Sequence, residues 1–186
     1  MPTQTRTRRR RIVGPLLAGI ILGMMAAGVV AAGPARHAGA SIIDAAGQTV
    51  GWARFTEDGA GRLHVNVKVA GLTPGLHGIH LHAKAECIGP SFGTAGPHHN
   101  PGGALHGLDD PAGAHAGDLP NLVVNEAGRG HLDVVSDRAT LSPGTLSLFE
   151  ADGSALIIHA LEDDQESTSA TGNSGPRVAC GIVVAD

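Results

Sequence analysis

The 186-residue sequence predicts an all-β domain, a Greek-key β-sandwich or flattened barrel of about eight or nine antiparallel strands. Three observations favour this class. Short segments with β-type patterning recur between turns, and 28 glycines and 11 prolines interrupt the chain. No segment after residue 34 has a convincing helical pattern. With three phenylalanines, one tryptophan and no tyrosine, the core must be built mainly from Ala, Val, Ile and Leu.

Nine segments fit the strand pattern, and a flexible linker at residues 33–39 is expected to precede them. They are residues 40–44, 50–56, 63–69, 75–82, 122–125, 131–135, 146–149, 155–159 and 178–184. Asp58-Gly59 separates the second segment from the third, and both residue types tolerate positive φ, so the pair predicts an antiparallel hairpin. Residues 83–120, rich in Gly, Pro and His, are far longer than an ordinary connection and are expected to contain the functional site.

Composition excludes several classes of protein. A chain with 42% hydrophobic and 16% charged residues is too apolar to be disordered. Residues 12–32 are a long apolar run, but no second one follows that would make a polytopic membrane protein. Five arginines lie within residues 6–11, so the formal charge of −4 becomes −9 for the rest of the chain. Such a domain is not expected to bind nucleic acid.

Residues 1–34 are predicted to be an export signal or an N-terminal membrane anchor with a short linker. Four arginines at residues 8–11 precede twenty-one uncharged residues, and small-residue cleavage sites lie at 30–32 and 38–40. Cleavage is favoured over anchoring because the apolar run contains Gly and Pro, and the Arg-Arg pair also permits a twin-arginine route. Either outcome places the domain, residues 35–186, outside the cytoplasm, whether secreted or held in the cell envelope or periplasm.

Cys87 and Cys180 are the two cysteines of the chain. In an oxidising compartment, an even number of cysteines at long separation favours one disulfide over two buried free thiols. Such a bridge would close a loop of more than ninety residues. By the chain-entropy relation it would contribute on the order of 4 kcal/mol to stability.

Eleven histidines in 186 residues indicate metal binding, because neutral imidazole is the commonest metal ligand in proteins. His80 and His82 are two residues apart in a predicted strand, so their side chains leave the same face. The long loop that follows adds nitrogen and carboxylate donors with zinc-like spacing: His98, His99, His106, His115 and Asp118. His159 ends an apolar run on a distant strand and is either a core histidine or a ligand delivered from the opposite side.

Three motifs resemble those of the copper/zinc superoxide dismutase family. In chain order they are Gly75-Leu76-His77-Gly78-Ile79-His80-Leu81-His82, Ala95-Gly96-Pro97-His98-His99-Asn100-Pro101, and Gly172-Asn173-Ser174-Gly175-Pro176-Arg177-Val178-Ala179-Cys180-Gly181. The resemblance covers residues 40–186, and the segment from Glu86-Cys87 to Phe92 is similar to the bacterial, secreted branch. It implies a Greek-key barrel with long metal-binding and active-site loops.

The resemblance implies a ligand at every metal position. The implied copper ligands are His80, His82, His98 and His159, and the implied zinc ligands are His98, His106, His115 and Asp118. His98 would be the imidazolate shared by both metals. Asp163 would be the carboxylate behind the ligands that links His80 to His106 and fixes their ring orientation.

The activity that the resemblance implies is dismutation of superoxide to dioxygen and hydrogen peroxide, with copper and zinc as cofactors. His98 would deliver a proton to the second superoxide, and Arg177 would dock the anionic substrate beside the copper face. Cys87 and Cys180 match the family disulfide. The loop at residues 160–176 departs from better-known members, because it is shorter, acidic and without lysine, so long-range attraction of superoxide is expected to be weak.

The remaining histidines, except His99, are expected to lie outside the metal sites. His77 matches a structural position whose ring bonds to backbone, while His99 is an alternative donor beside His98. Solvent exposure is expected for His37, His64 and His131. The resemblance leaves open whether the domain is a monomer or a homodimer, and membrane contact is expected only through an uncleaved N-terminal segment.

Three other functions compete with the dismutase. A non-catalytic copper- and zinc-binding module, a buffer or chaperone-like relative on the same fold, would be expected to lose a ligand or Arg177, and none is lost here. A secreted zinc hydrolase would use His106, His115 and Asp118 but leave the other histidines without a purpose. A β-sandwich adhesion domain would require every ligand match to be coincidental.

Overall fold

The computed structural model describes Met1 and residues 36–150, 152–166 and 169–186. The chain divides into two units, Met1–Ala31 and Ala32–Asp186, and every described residue except Met1 belongs to the second. The predicted export signal or anchor, residues 1–34, lies outside the described residues apart from Met1. Within the described ranges, no helix has the length and apolar character needed to cross a membrane.

The described part of the chain is an antiparallel sheet of ten strands with one short 3-10 turn, Gly93–Ala95. The strands are β1 Arg36–Asp44, β2 Thr49–Glu57, β3 Leu63–Ala70, β4 Gly75–His77, β5 Ile79–His82, β6 Leu122–Val124, β7 Arg129–Ser136, β8 Ala155–His159, β9 Arg177–Ile182 and β10 Val184–Ala185. They pair in the order β4-β6-β7-β3-β2-β1-β9-β8-β5, with β10 beside β1. Because β4 and β5 end this path but are joined in the chain by Gly78 alone, the sheet forms a nearly closed barrel, which confirms the predicted all-β class.

The core follows from the alternation of each strand. In β3, Leu63, Val65, Val67 and Val69 are buried while the residues between them are partly or fully exposed. Strand β8 differs because all five of its residues are buried. Its Leu156 and Ile158 belong to the main core, whereas Ala155 and Ile157 pack in a smaller second core with Phe92, Ala95 and Cys180. Both faces of β8 are therefore covered, which explains its continuous apolar sequence.

The predicted hairpin between β2 and β3 is present, with Glu57 paired to Leu63. Its turn is built differently from the prediction, because the left-handed residue is Gly61, with φ 79°, and not Asp58 or Gly59. Asp58 instead accepts hydrogen bonds through Oδ1 from two backbone N–H groups of the turn. The same arrangement of an Asx residue and a positive-φ glycine three residues later occurs in the β1–β2 and β6–β7 turns, at Asp44 and Gly47 and at Asn125 and Gly128.

Several sequence predictions about strands are wrong in detail, including the segment 178–184, which is the two strands β9 and β10 with Val183 between them. The segment 75–82 is two strands, because Gly78 is a corner where an added Cβ would overlap Ser174 and Asp163. The expected linker at 33–39 is partly β1, which begins at Arg36, so cleavage within residues 38–40 would remove the first part of that strand.

The predicted strand at 146–149 is instead a turn region. Leu148 is buried in the main core, but the preceding chain is tied to β2 by a carboxylate. Glu57, which is buried, accepts hydrogen bonds from the backbone N–H groups of Leu141 and Ser142, both at 2.6 Å. Burial raises the pKa of Glu57, but hydrogen bonds from Ser142 and Leu141 outweigh it and lower the pKa.

Candidate metal centre

Strands β5 and β8 present three histidines on one face of the barrel wall. Ile79 and Leu81 point into the main core, so His80 and His82, at the alternate positions of β5, leave the opposite face. His159 ends β8 beside them, and its backbone N–H donates to the carbonyl of Gly78 at 2.8 Å. The sheet therefore supplies three imidazoles before any loop residue is considered.

The long loop covers this face by pairing with the outer edge of β5. The backbone N–H of Leu81 donates to Gly117, and that of His99 donates to Leu81, at 2.9 and 2.8 Å. Isolated bridges also pair His80 with Asp118 and His82 with His98. This pairing brings the loop donors against the strand histidines.

One donor set lies where the strands and the loop meet. Its four ligand atoms lie within 4.8 Å of one another and come from His80, His82, His98 and His159, all buried. In each ring one nitrogen has a polar neighbour. The other is buried with no hydrogen-bond partner among the described residues, namely His80 Nδ1, His82 Nε2, His98 Nε2 and His159 Nε2. Such orphaned atoms are rare in folded proteins, and four that converge fit a metal ion with nitrogen ligands.

Hydrogen bonds behind the rings select which nitrogen is free. His82 Nδ1–H donates to the carbonyl of Gly96 at 2.9 Å, and His159 Nδ1–H donates to Gly175 at 3.0 Å. Burial lowers the pKa of His80 to about 3, of His82 to about 2 and of His159 to about 4. These rings are therefore neutral at pH 7, and their free nitrogens present lone pairs.

A second donor set adjoins the first and shares His98 with it. It consists of His98, His106, His115 and Asp118, all buried. His98 Nδ1 lies 2.9 Å from Asp118 Oδ1, His106 Nδ1 lies 3.1 Å from Asp118 Oδ2, and the Nδ1 atoms of His98 and His115 are 3.2 Å apart. Donors around a tetrahedral ion with zinc-like bond lengths are about 3.3 Å apart, so this set fits zinc.

Asp163 lies behind both donor sets. Its Oδ2 accepts a hydrogen bond from His80 Nε2, and its Oδ1 accepts one from His106 Nε2 at 3.1 Å. Burial raises the pKa of Asp163, but the hydrogen bonds from His106 and His80 outweigh it and hold the pKa far below its usual range. The ionised carboxylate thus connects one ring of each set.

Two residues that support Asp163 were not identified from the sequence. Asn121 exchanges two hydrogen bonds with the backbone of Asp163, each 2.8 Å long. Gly172 has φ 58°, and a Cβ there would overlap the Asp163 carboxylate and the His106 ring. Gly172 opens the third family motif, which is a local signal, but Asn121 is 42 residues from Asp163 and has none.

Arg177 lies beside the first donor set. Its guanidinium donates from Nη1 to the carbonyl of Phe92 and from Nη2 to that of Gly96, both at 2.6 Å. After burial and the neighbouring His98, its positive charge contributes to lowering the pKa values of His82 and His159. A cavity of about 410 Å³ leads to this side chain, lined by Pro90, Ser91, Gly175, Pro176 and Arg177.

Among the described residues, the other histidines named in the sequence analysis lie outside the two donor sets. His77 Nδ1 is 2.6 Å from the carbonyl of His159, and its Nε2 is 2.8 Å from that of Thr73. His99 is buried beside His98, but its ring bonds to the backbone of Leu146, so the structure does not bring it to either set. His37 and His131 are exposed and His64 is half-buried.

The predicted disulfide between Cys87 and Cys180 is confirmed. It joins the start of the long loop to β9, three residues from Arg177. The loop, the disulfide and β9 thus meet on one side of the first donor set.

The fold and the two adjoining donor sets define an antiparallel β-barrel protein that binds metal. The family model described as copper/zinc superoxide dismutase matches residues 49–183, and the chain belongs to this family. It is 39% identical over 146 residues to superoxide dismutase [Cu-Zn] 2 of Aquifex aeolicus, covering 77% of this chain and 84% of that protein.

Two of the comparisons are with Bacillus subtilis proteins that are described as superoxide dismutase-like. The chain is 36% identical over 145 residues to the superoxide dismutase-like protein YojM, covering 77% of this chain and 74% of that protein. The crystal structure of a double mutant of a SOD-like protein from Bacillus subtilis superposes with a TM-score of 0.73 at 36% identity, covering 77% of this chain and 95% of that one.

Proposed function

We propose that this chain dismutes superoxide outside the cytoplasm, by the reaction 2 O2•− + 2 H+ → O2 + H2O2. The observation that supports this most directly is the shared ring of His98, whose Nδ1 faces the second donor set and whose Nε2 remains for the first. A ring that binds ions through both nitrogens would have lost both protons, so Nε2 could take one up when that nitrogen does not hold an ion, and release it afterwards.

The first donor set would hold copper and the second would hold zinc. The copper ligands would be His80, His82, His98 and His159. The zinc ligands would be His98, His106, His115 and Asp118. When bound, copper supplies the one-electron chemistry of the reaction, while zinc has no redox role.

The residues of the chain have distinct roles in this proposal. His98 holds a proton at Nε2 and delivers it to the second superoxide. Arg177 binds the anion at the inner end of the cavity, where its charge is partly desolvated. Asp163 holds His80 and His106 in the orientation that turns their Nδ1 atoms toward the two donor sets.

The disulfide supports the proposed compartment. A bridge that persists requires an oxidising environment, which supports an extracytoplasmic location, reached through the export signal or anchor proposed for residues 1–34. Superoxide is the proposed substrate, and a homodimer remains open to measurement.

Superoxide decay after pulse radiolysis tests the proposal on the purified chain loaded with copper and zinc and on the same chain loaded with zinc alone. We expect dismutation that depends on copper. Arg177→Ala should cut the rate at least about tenfold while both metals stay bound, because it removes the charge that docks the anion. Stoichiometric metal binding without turnover would instead support the non-catalytic metal-binding module.

A pair of histidine variants tests the shared ring. His98→Ala should abolish the coupling between the two metals, so that removing zinc no longer alters the copper absorption spectrum. His131→Ala is the matched control, because this histidine is exposed on β7. An unchanged zinc effect in His98→Ala would contradict the shared role of this ring.

A further inference from the structure

The position of Arg177 depends on one short segment of the long loop. Both carbonyls that accept from its guanidinium flank the 3-10 turn Gly93–Ala95, with Phe92 before the turn and Gly96 after it. The Gly96 carbonyl also accepts from His82 Nδ1. The position of this turn therefore determines where the Arg177 guanidinium lies relative to the His82 ring.

One aromatic side chain anchors the start of the turn, while the backbone N–H of Lys84 donates to the carbonyl of Ala95, at its end, at 3.1 Å. Phe92 is fully buried, and its ring belongs to the second core with Ala95, Ile157 and Cys180. Its backbone has φ 51° and ψ 24°, a left-handed conformation that costs free energy in a residue with a Cβ. A buried phenyl ring offsets that cost, so the ring and the strained backbone specify one placement of the Phe92 carbonyl.

The disulfide does not hold this carbonyl directly. Cys87 precedes Phe92 by five residues, and the four residues between them, 88–91, are all exposed. The sulfur bridge and the phenyl ring are therefore separate attachments at the two ends of this segment, in addition to the hydrogen bond from the backbone N–H of Phe92 to the carbonyl of Ile88 at 3.1 Å. The attachment at the phenyl ring is the one adjacent to the guanidinium.

We propose that the phenyl ring of Phe92 positions Arg177 for binding a small anion, by fixing the carbonyl that accepts from Nη1. Phe92 acts through Arg177 and does not contact the anion itself. The inference rests on the proposed function only for the role of Arg177 in docking superoxide. Truncating the ring keeps both the guanidinium donor and the Phe92 carbonyl acceptor, but it removes the packing that holds the carbonyl in place.

The first test uses the metal-free chain and needs no catalysis. Phenylglyoxal modification of Arg177, followed by mass spectrometry of its peptide, reports how freely the guanidinium leaves its two carbonyls. Phe92→Ala should raise the rate about tenfold, as expected for loss of a hydrogen bond from a charged group. Phe149→Ala is the matched control, because this ring is 37% exposed and lies outside both cores, so the rate should be unchanged.

Phe92→Leu guards against simple unfolding. An apolar side chain of similar reach should keep the rate within about threefold of the parent. Thermal melts followed by circular dichroism and a free-thiol assay would establish that each variant is folded with its disulfide intact. The proposal would be overturned if folded Phe92→Ala reacted at the parent rate. It would also be overturned if folded Phe92→Leu reacted more than about threefold faster than the parent.

The second test measures azide affinity of the copper- and zinc-loaded chain by optical titration. Phe92→Ala should weaken azide binding about tenfold in the parent and not at all in an Arg177→Ala background, because its effect passes through the guanidinium. A further tenfold loss in that background would overturn the proposal. Azide affinity that Arg177→Ala does not change would contradict the docking role in the proposed function, and the modification rates would then decide the role of Phe92.

Discussion

Acid should destabilise the metal-free protein far more steeply than an ordinary β-domain. Burial lowers the pKa of His80 to about 3, of His82 to about 2 and of His159 to about 4, while an unfolded histidine titrates near 6.5. As the pH falls below 6.5, the unfolded chain therefore binds protons that the folded chain cannot accept. Stability is fully present above 6.5 and is lost on the way down to these folded values.

The expected magnitude is large. Each such histidine costs about 1.4 kcal/mol per pH unit, so the three together remove about 4 kcal/mol for each unit below pH 6. Domains of this size have a total stability of about 5–15 kcal/mol. We therefore expect the metal-free domain to unfold between about pH 4 and 5.

The alkaline limb has the opposite sign. Burial lowers the pKa of His106, but hydrogen bonds to Asp118 and Asp163 outweigh it and raise the pKa to about 9. The stability from this charged ring is complete below 6.5 and is lost as the pH rises through 9. Metal-free stability should thus pass through a maximum close to neutrality.

Urea unfolding of chelator-treated protein, followed by circular dichroism from pH 4 to 10, measures this profile. The loss between pH 6 and 5 should exceed that between pH 8 and 9, because at least three rings with lowered pKa values contribute to the first loss and one ring with a raised pKa, that of His106, to the second. A free energy of unfolding that is flat or rising as the pH falls from 6.5 to 5 would refute the reasoning.

Three further predictions concern the disulfide, a glycine and the charge of the active-site loop. Reduction of the bridge, which spans a separation of 93 residues, should cost about 4–5 kcal/mol and lower Tm by about 10–15 °C; complete reduction with no shift in a calorimetric scan would contradict this. Gly172→Ala should weaken zinc binding at least about tenfold in a chelator competition, because a methyl group overlaps the carboxylate and ring behind the ligands, whereas Gly102→Ala meets open space and should bind zinc normally. Raising the ionic strength from about 0.01 to 0.15 M should leave the dismutation rate unchanged or raise it, because the loop at 160–176 has no lysine; a steep fall would show strong attraction of the anion.

Local patterning predicted most of the barrel but not its corners. The alternation through β2 and β3 marked those strands clearly, because one face of each is buried. The same alternation passes through Gly78, where the chain changes from one end of the sheet to the other, because a turn without an extra residue leaves the period intact. Residues 146–149 alternate as well, but the hydrogen bonds of Glu57, from a strand more than eighty residues away, shape the preceding chain.

The site residues that could be predicted from the sequence are those that share a motif or a spacing. His80 and His82 follow strand geometry, so their common face could be derived directly. The pairing of His80 with Asp118 and of His82 with His98 depends on how the loop lies against β5, which no local pattern describes. Asn121 and Phe92 were missed as supporting residues because their roles are contacts made only in the folded chain.

The pairing of the long loop with β5 also affects solubility. A strand at the end of a sheet presents free N–H and C=O groups that can recruit a strand from another molecule. Here Leu81 exchanges those bonds with Gly117 and His99, within the same loop that supplies all four members of the second donor set. Release of this loop would uncover the edge of β5, so we expect that an ion held in the second donor set would protect the folded chain against self-association.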